Sequence, residues 1–207
     1  MYPNSLKDLI ESFKFLPGIG EKSAERMAFY ILGLDEEKVD FFSESLKEVK
    51  NKIKKCPICS NITEDDICSI CADKTRNKEL LCVLEDKKNL FLFEKLGSYK
   101  GYYHILDNLI DPLNGINTED IGLEKLIKRI KDGSFKEVII AVKPSIEGET
   151  TSLYIKKILE GLNVKVTRIA SGIPMGADME YIDSITLERA LIDRKEINWW
   201  RMYVRQI

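Results

Sequence analysis

Residues 56–71 read CPICSNITEDDICSIC, and the spacing of their four cysteines, C-x2-C-x8-C-x2-C, decides how the rest of the chain divides. Each Cys-x-x-Cys knuckle brings two thiolates to one side of a turn. Two knuckles complete the tetrahedral shell of a zinc ion, with Zn–S of about 2.3 Å. Cys56, Cys59, Cys68 and Cys71 are therefore the predicted ligands of one zinc ion. A closed shell of four protein ligands leaves no position for water or substrate, so the predicted metal is a structural staple. Pro57 stiffens the first turn, and Asn61, Thr63, Asp65 and Asp66 make a polar loop between the knuckles. Two disulfides in a secreted domain are the alternative reading of the same residues. The N-terminal stretch MYPNSLKDLIESF carries no basic segment leading into an apolar one.

Upstream of the knuckles, Leu6, Leu9, Ile10 and Phe13 recur at helical spacing, and Ala24, Met27, Ala28 and Ile31 repeat the pattern over Glu21–Leu32. Between the two helices lies LPGIG. Pro17 sets one backbone angle, while Gly18 and Gly20 permit positive φ and close approach of the backbone to another molecule. A helix that starts just after such a turn exposes free N–H groups, the geometry that accepts a phosphate oxygen. Lys22 and Arg26 follow at i, i+4 on one face. The string LPGIGEKSAERMA resembles the helix-hairpin-helix of proteins that hold DNA by its backbone. The competing reading is a tight turn whose two cations pair with Glu21 or Glu25 in solvent. A third, charged helix over about Asp35–Lys55 has Val39, Phe42, Leu46, Val49 and Ile53 as its apolar face. Its end is rich in lysine, read here as a solvated face.

Downstream, the texture alternates. ELLCVLE, GYYHIL, EVIIAV and VKVTRIA read as strands, separated by helical KKNLFLFEKLG, EKLIKRIKDG and TTSLYIKKILEGL. That β-α-β-α-β-α-β order predicts a mostly parallel sheet with helices on both faces. Ligands gather at the carboxyl ends of such strands. There the sequence places Glu85, after the first strand, and Glu147 and Glu149, after the third. Three acids at adjacent strand ends are the donor type for Mg²⁺. They equally suit a helix N-terminus, whose dipole favours them. Cys82 and His104 lie inside strands and read as packing residues.

Composition narrows the function classes. The 207 residues, 44% hydrophobic, suffice for one sizeable core plus smaller modules. A net charge of −2 with 32% charged residues excludes a global basic field, so any nucleic-acid contact is local. No apolar run approaches the roughly 20 residues of a membrane span, and the expectation is a cytoplasmic protein.

Hairpin, four-cysteine knuckle and acid-bearing parallel sheet, in this order, resemble the RecR recombination-mediator family. The strings that carry the resemblance are LPGIGEKSAERMAF, CPIC, CSIC, LCVLED, GYYHIL, DPLNGI, PSIEGETT, VTRIASGIPMGADMEY and TLERAL. The resemblance implies a multidomain α/β protein: a helix-hairpin-helix domain (1–54), a C4 zinc finger (55–76), a Toprim domain (79–174) and a C-terminal helix and tail (175–207). It implies a bacterial, nucleoid-associated DNA repair factor without catalysis, which acts with RecO and RecF to load recombinase on single-stranded DNA. It further implies a clamp-like homotetramer. Lys22, Arg26, Gly18 and Gly20 would meet DNA, and Glu85, Glu147 and Glu149 would form a partner-docking surface or weak Mg²⁺ site. Toprim enzymes hold their metal with a glutamate and a D-x-D pair; the pair here is E-G-E. Asn89 and Lys143 also depart from the family's usual aspartate and asparagine, which weakens a metal site further. The alternative function is a Toprim metal-dependent nuclease or phosphotransferase. The tail INWWRMYVRQI, with Trp199, Trp200 and Tyr203, is expected to pack on a neighbouring subunit or on the sheet.

Overall fold

The computed structural model of the chain describes residues 2–194 and 196, so the aromatic tail lies outside the described residues. The chain forms two compact units, one ending at Lys54 and the other beginning at Lys55.

The first unit holds α1 (Asn4–Lys14), α2 (Glu21–Leu32) and α3 (Glu36–Lys52). Leu6 and Ile10 of α1 pack on Ala24 and Ala28 of α2, with Leu9, Phe13 and Ile19 at the margin. Both alanines are fully buried. Their single methyl groups let the two helix axes approach closely, because interaxial distance follows the side chains at the contact. The chain reverses through LPGIG, where the Ile19 N–H donates to the Leu16 carbonyl at 3.1 Å. Gly18 takes φ +81°, a conformation that side-chain-bearing residues rarely adopt. The apolar face expected on α3 forms but stays largely uncovered: Phe42, Leu46 and Val49 are 43%, 59% and 56% exposed. Some 50 residues bury too small a share of their surface to cover three amphipathic helices.

A ribbon of β1 (Lys54–Lys55), whose two residues straddle the boundary, and β2 (Ile62–Thr63) leads into the second unit, followed by α4 (Ser69–Ala72). It continues with β3 (Asn77–Leu84), α5 (Lys87–Leu96), β4 (Gly101–Ile105), α6 (Leu123–Asp132), β5 (Glu137–Ala141), α7 (Ile146–Leu159), β6 (Lys165–Arg168) and α8 (Ser184–Ile192). The four long strands form one parallel sheet in the order β4-β3-β5-β6, the predicted α/β alternation.

Strand β3 is central, and Leu81 to Leu84 are all buried because helices cover both faces of a parallel sheet. Alternation along the strand sorts these residues between two cores. Leu81 and Val83 join Leu126 and Ile130 of α6 and Ile155 and Leu159 of α7. Cys82 and Leu84 join Leu90 of α5, Tyr103, Ile105 and three cysteines of the knuckles. The knuckles thus share a core with the sheet.

Helix α7 begins at Ile146, four residues before the apolar periodicity suggests. Ser145 caps it, its hydroxyl accepting the Gly148 N–H at 3.3 Å, and Glu147 and Glu149 sit in the first turn where the dipole favours them.

Candidate nucleic-acid interface and zinc centre

In the hairpin, Gly20 precedes α2 in extended conformation, and no side chain caps the helix. The Ser23 and Ala24 N–H groups both donate to the Gly20 carbonyl, at 3.1 and 2.9 Å. The preceding N–H groups, of Glu21 and Lys22, have no backbone acceptor among the described residues. Lys22 and Arg26 are exposed. Neither makes an ion pair among the described residues, because Glu21 pairs instead with Lys14 of α1 at 2.7 Å. Hydrogen bonds donated to Glu21 and Glu11 hold the Lys14 ammonium above its ordinary pKa. Two free cations one turn apart, beside open backbone donors, suit the oxygens of a phosphodiester chain.

The first knuckle closes on two backbone bonds: Ser60 N–H to Cys56 O at 2.9 Å, and Cys56 N–H to Asn61 O at 2.6 Å. Ser60 adopts φ +63° to complete the turn. The second knuckle leads into α4, where the Ala72 N–H donates to the Cys68 carbonyl at 3.0 Å. All four cysteines are free of disulfides. Their sulfurs lie within 4.8 Å of one another, and Cys59 Sγ is 3.5 Å from Cys68 Sγ. A Zn–S bond of about 2.3 Å gives a tetrahedron edge of about 3.7 Å, so the quartet closes on zinc with small shifts.

Electrostatics agree. The contact with Cys68 holds the Cys59 thiol far above its ordinary value, with burial adding to the effect, and the same contact pulls Cys68 down. Four thiols this close ionise together only around a cation. The quartet therefore holds one structural zinc. Cys56, Cys59 and Cys68 are buried to 1%, 0% and 2% exposure, while Cys71 is half-buried. Cys82, the fifth cysteine, packs in β3, where burial pushes its thiol up to about 12.

The three acids lie along the carboxyl edge of the sheet: Leu84 pairs with Ala141, so Glu85 and the segment 142–149 leave neighbouring strand ends. Their surroundings differ. Glu85 lines a cavity of about 240 Å³ with Lys55, Asp86, Lys87 and Asp107, and its Oε2 is buried without a hydrogen-bond partner. Glu147 accepts the Ser145 hydroxyl, which holds its carboxyl below the usual range. Glu149 accepts from Arg168 Nη1 at 2.5 and 2.6 Å and from Arg189 Nη1 at 3.0 Å. Among the described residues, the cysteine quartet is the only group of three or more His, Cys, Asp or Glu side chains whose ligand atoms converge.

Sequence reasoning did not single out Arg168 or Arg189. Both sit in strings quoted above, VTRIA and TLERAL, yet neither is closer than 19 residues to Glu149 along the chain. No local spacing announces such a pair. His104 is 1% exposed and its Nδ1 has no partner, in keeping with a packing residue.

Four family models match the chain in succession. A model of the RecR helix-hairpin-helix covers residues 6–50 and one of the RecR four-cysteine zinc finger covers 53–73. A Toprim domain model covers 79–170 and a model of the RecR C-terminal region covers 172–195.

Proposed function

Since this chain belongs to the RecR family, whose members are recombination mediators, we propose that it holds DNA through Lys22, Arg26 and the Gly18–Gly20 turn and delivers it to partner proteins. In this reading it acts with RecO and RecF to place recombinase on single-stranded DNA in the bacterial cytoplasm. Residues 1–54 are the DNA-facing domain, 55–76 the zinc finger, 79–174 the Toprim domain with the partner-facing acids, and 175–207 the C-terminal region. The observation that carries it is the pair of exposed cations, unmatched by any carboxylate among the described residues, next to N–H groups without a backbone acceptor among those residues at the start of α2.

One hairpin grips DNA weakly, with nonspecific Kd values of about 10⁻⁴–10⁻⁶ M, so the function needs several copies on one strand. A clamp-like homotetramer supplies them. Supporting an assembly, α2 and α3 leave Phe29, Tyr30, Phe41, Leu46 and Val49 exposed. Among the described residues, no helix is long and apolar enough to cross a membrane.

The protein performs no chemistry of its own in this reading. Glu149, one of the acids a Toprim enzyme would give to a metal, already accepts from two guanidinium groups. Glu85, Glu147 and the loop around them then serve as a docking surface.

Fluorescence anisotropy with a labelled single strand tests the proposal. Lys22→Glu combined with Arg26→Glu is expected to remove most of the affinity and to flatten the salt dependence; unchanged binding would dismiss the hairpin. Cleavage of labelled DNA with Mn²⁺, abolished by Glu85→Ala, would instead establish the nuclease alternative.

A further inference from the structure

We propose that Arg129 of α6 is the outer-sphere residue that retains the zinc ion, by guarding Cys71, the ligand through which the site opens. The proposal rests on the zinc assignment above. Cys71 is the half-buried member of an otherwise buried quartet, so water and competing ligands reach the metal past its sulfur. Arg129 stands on that side. Its Nη2 lies 3.9 Å from Cys71 Sγ, and its Nη1 donates to the Tyr103 carbonyl of β4 at 2.5 Å. The guanidinium carbon lies 6.0 Å from the centre of the Tyr102 ring and 5.8 Å from that of Phe135. Two aromatic rings and a backbone carbonyl therefore fix the plane of the group, so that its second nitrogen faces sulfur.

The charges explain why an arginine belongs there. Four thiolates around Zn²⁺ leave the centre with two excess negative charges. Arg129's hydrogen bonds go to the Tyr103 carbonyl and Cys71, and it makes no ion pair with Asp or Glu among the described residues, although Asp132 is one turn away on the same helix. Its charge is left to the thiolate centre. An N–H···S contact engages a lone pair of the sulfur and so holds Cys71 in its ligating position. Outer-sphere partners of this kind typically change metal affinity by about 10–100-fold. Lys128 lines the same groove beside Cys71, but makes no hydrogen bond to sulfur among the described residues.

The test uses the full chain, first assayed for zinc as purified and then mixed with excess 4-(2-pyridylazo)resorcinol to follow metal transfer by absorbance. Arg129→Gln is expected to release zinc about 10-fold faster than the unaltered chain. Arg129→Lys, which keeps the charge but not the two-nitrogen bridge, should fall between them. Lys128→Gln should release at the original rate. Mass spectrometry after brief iodoacetamide treatment should find Cys71 alkylated first, and sooner in Arg129→Gln. Equal release from Arg129→Gln and the unaltered chain would overturn the proposal, as would equal acceleration by Lys128→Gln, which would reduce the effect to bulk charge. If Arg129→Gln does not fold, Arg129→Lys decides, and release at the original rate overturns the two-point contact. A purified chain without zinc would overturn the zinc assignment itself, a separate failure.

Discussion

Ile105 donates its backbone N–H to the carbonyl of Cys59 at 2.9 Å, across the outer edge of β4. Strand β4 is an edge strand, and an open edge offers a row of unpaired groups to any passing chain. Here the row is occupied. Arg76 Nη1 donates to the Gly101 carbonyl at 2.8 Å and Arg129 to that of Tyr103, while the first knuckle takes the Ile105 N–H. The zinc site closes the sheet as well as its own loop.

Replacing Cys68 by serine should therefore cost more than local order. Metal content should fall well below one zinc per chain. Urea unfolding should show a loss of at least about 3 kcal/mol, because structural zinc binding is itself folding free energy. Exposure of the β4 edge should also raise the tendency to aggregate. A Cys68→Ser chain that retains zinc and unfolds at the original midpoint would contradict the shared core.

Gly148→Ala probes the start of α7. A Cβ there would lie 2.0 Å from the Lys143 carbonyl oxygen and 3.4 Å from Val142 Cγ2. Backbone cannot swing aside like a flexible side chain, so the expected loss is about 1–3 kcal/mol in chemical denaturation. A variant as stable as the original would mean that the 142–145 loop gives way freely.

Glu149→Gln should loosen α8. The carboxylate joins Arg168 and Arg189 while its side chain is 27% exposed, so solvent screens part of the attraction. A loss of about 1 kcal/mol is expected. Amide exchange in residues 184–192 should accelerate several-fold while β3 is unaffected. Unchanged exchange would show that α8 is held by its apolar contacts alone.

His104 links stability to pH. Burial, reinforced by the nearby Arg129 charge and opposed by Asp107, pulls the imidazole from 6.5 down to about 3. Between these values the unfolded chain binds a proton that the native chain refuses. The contribution is thus complete above about pH 6.5 and is lost as pH falls toward about 3. Going from pH 7.5 to 5.5, the unaltered chain should lose about 1.4 kcal/mol more than His104→Gln. Acid also protonates zinc thiolates, but that loss is common to both chains. Parallel pH profiles would refute the assignment.

Much of this was legible along the chain because its causes are local. Cysteine spacing sets which sulfurs can share a metal, and the Gly18 turn with its flanking apolar periods sets a helical hairpin. The alternating apolar runs set a parallel sheet. The burial of α3 was not legible. Its stripe reads as a core face, yet Phe42, Leu46 and Val49 remain exposed because an amphipathic pattern specifies a face and not the surface that covers it. The start of α7 was legible only through Glu147 and Glu149, acids that suit a helix N-terminus, since a serine cap rather than apolar periodicity begins that helix.

By itself, then, the sequence determined the elements, the zinc ligands and the family. Tertiary structure alone decided what the charged groups do. Glu149 belongs to Arg168 and Arg189, and Arg129 reaches Cys71 from 58 residues away. Such pairings depend on which helices pack against which strands, and charges so far apart in the chain meet only after the apolar cores have formed.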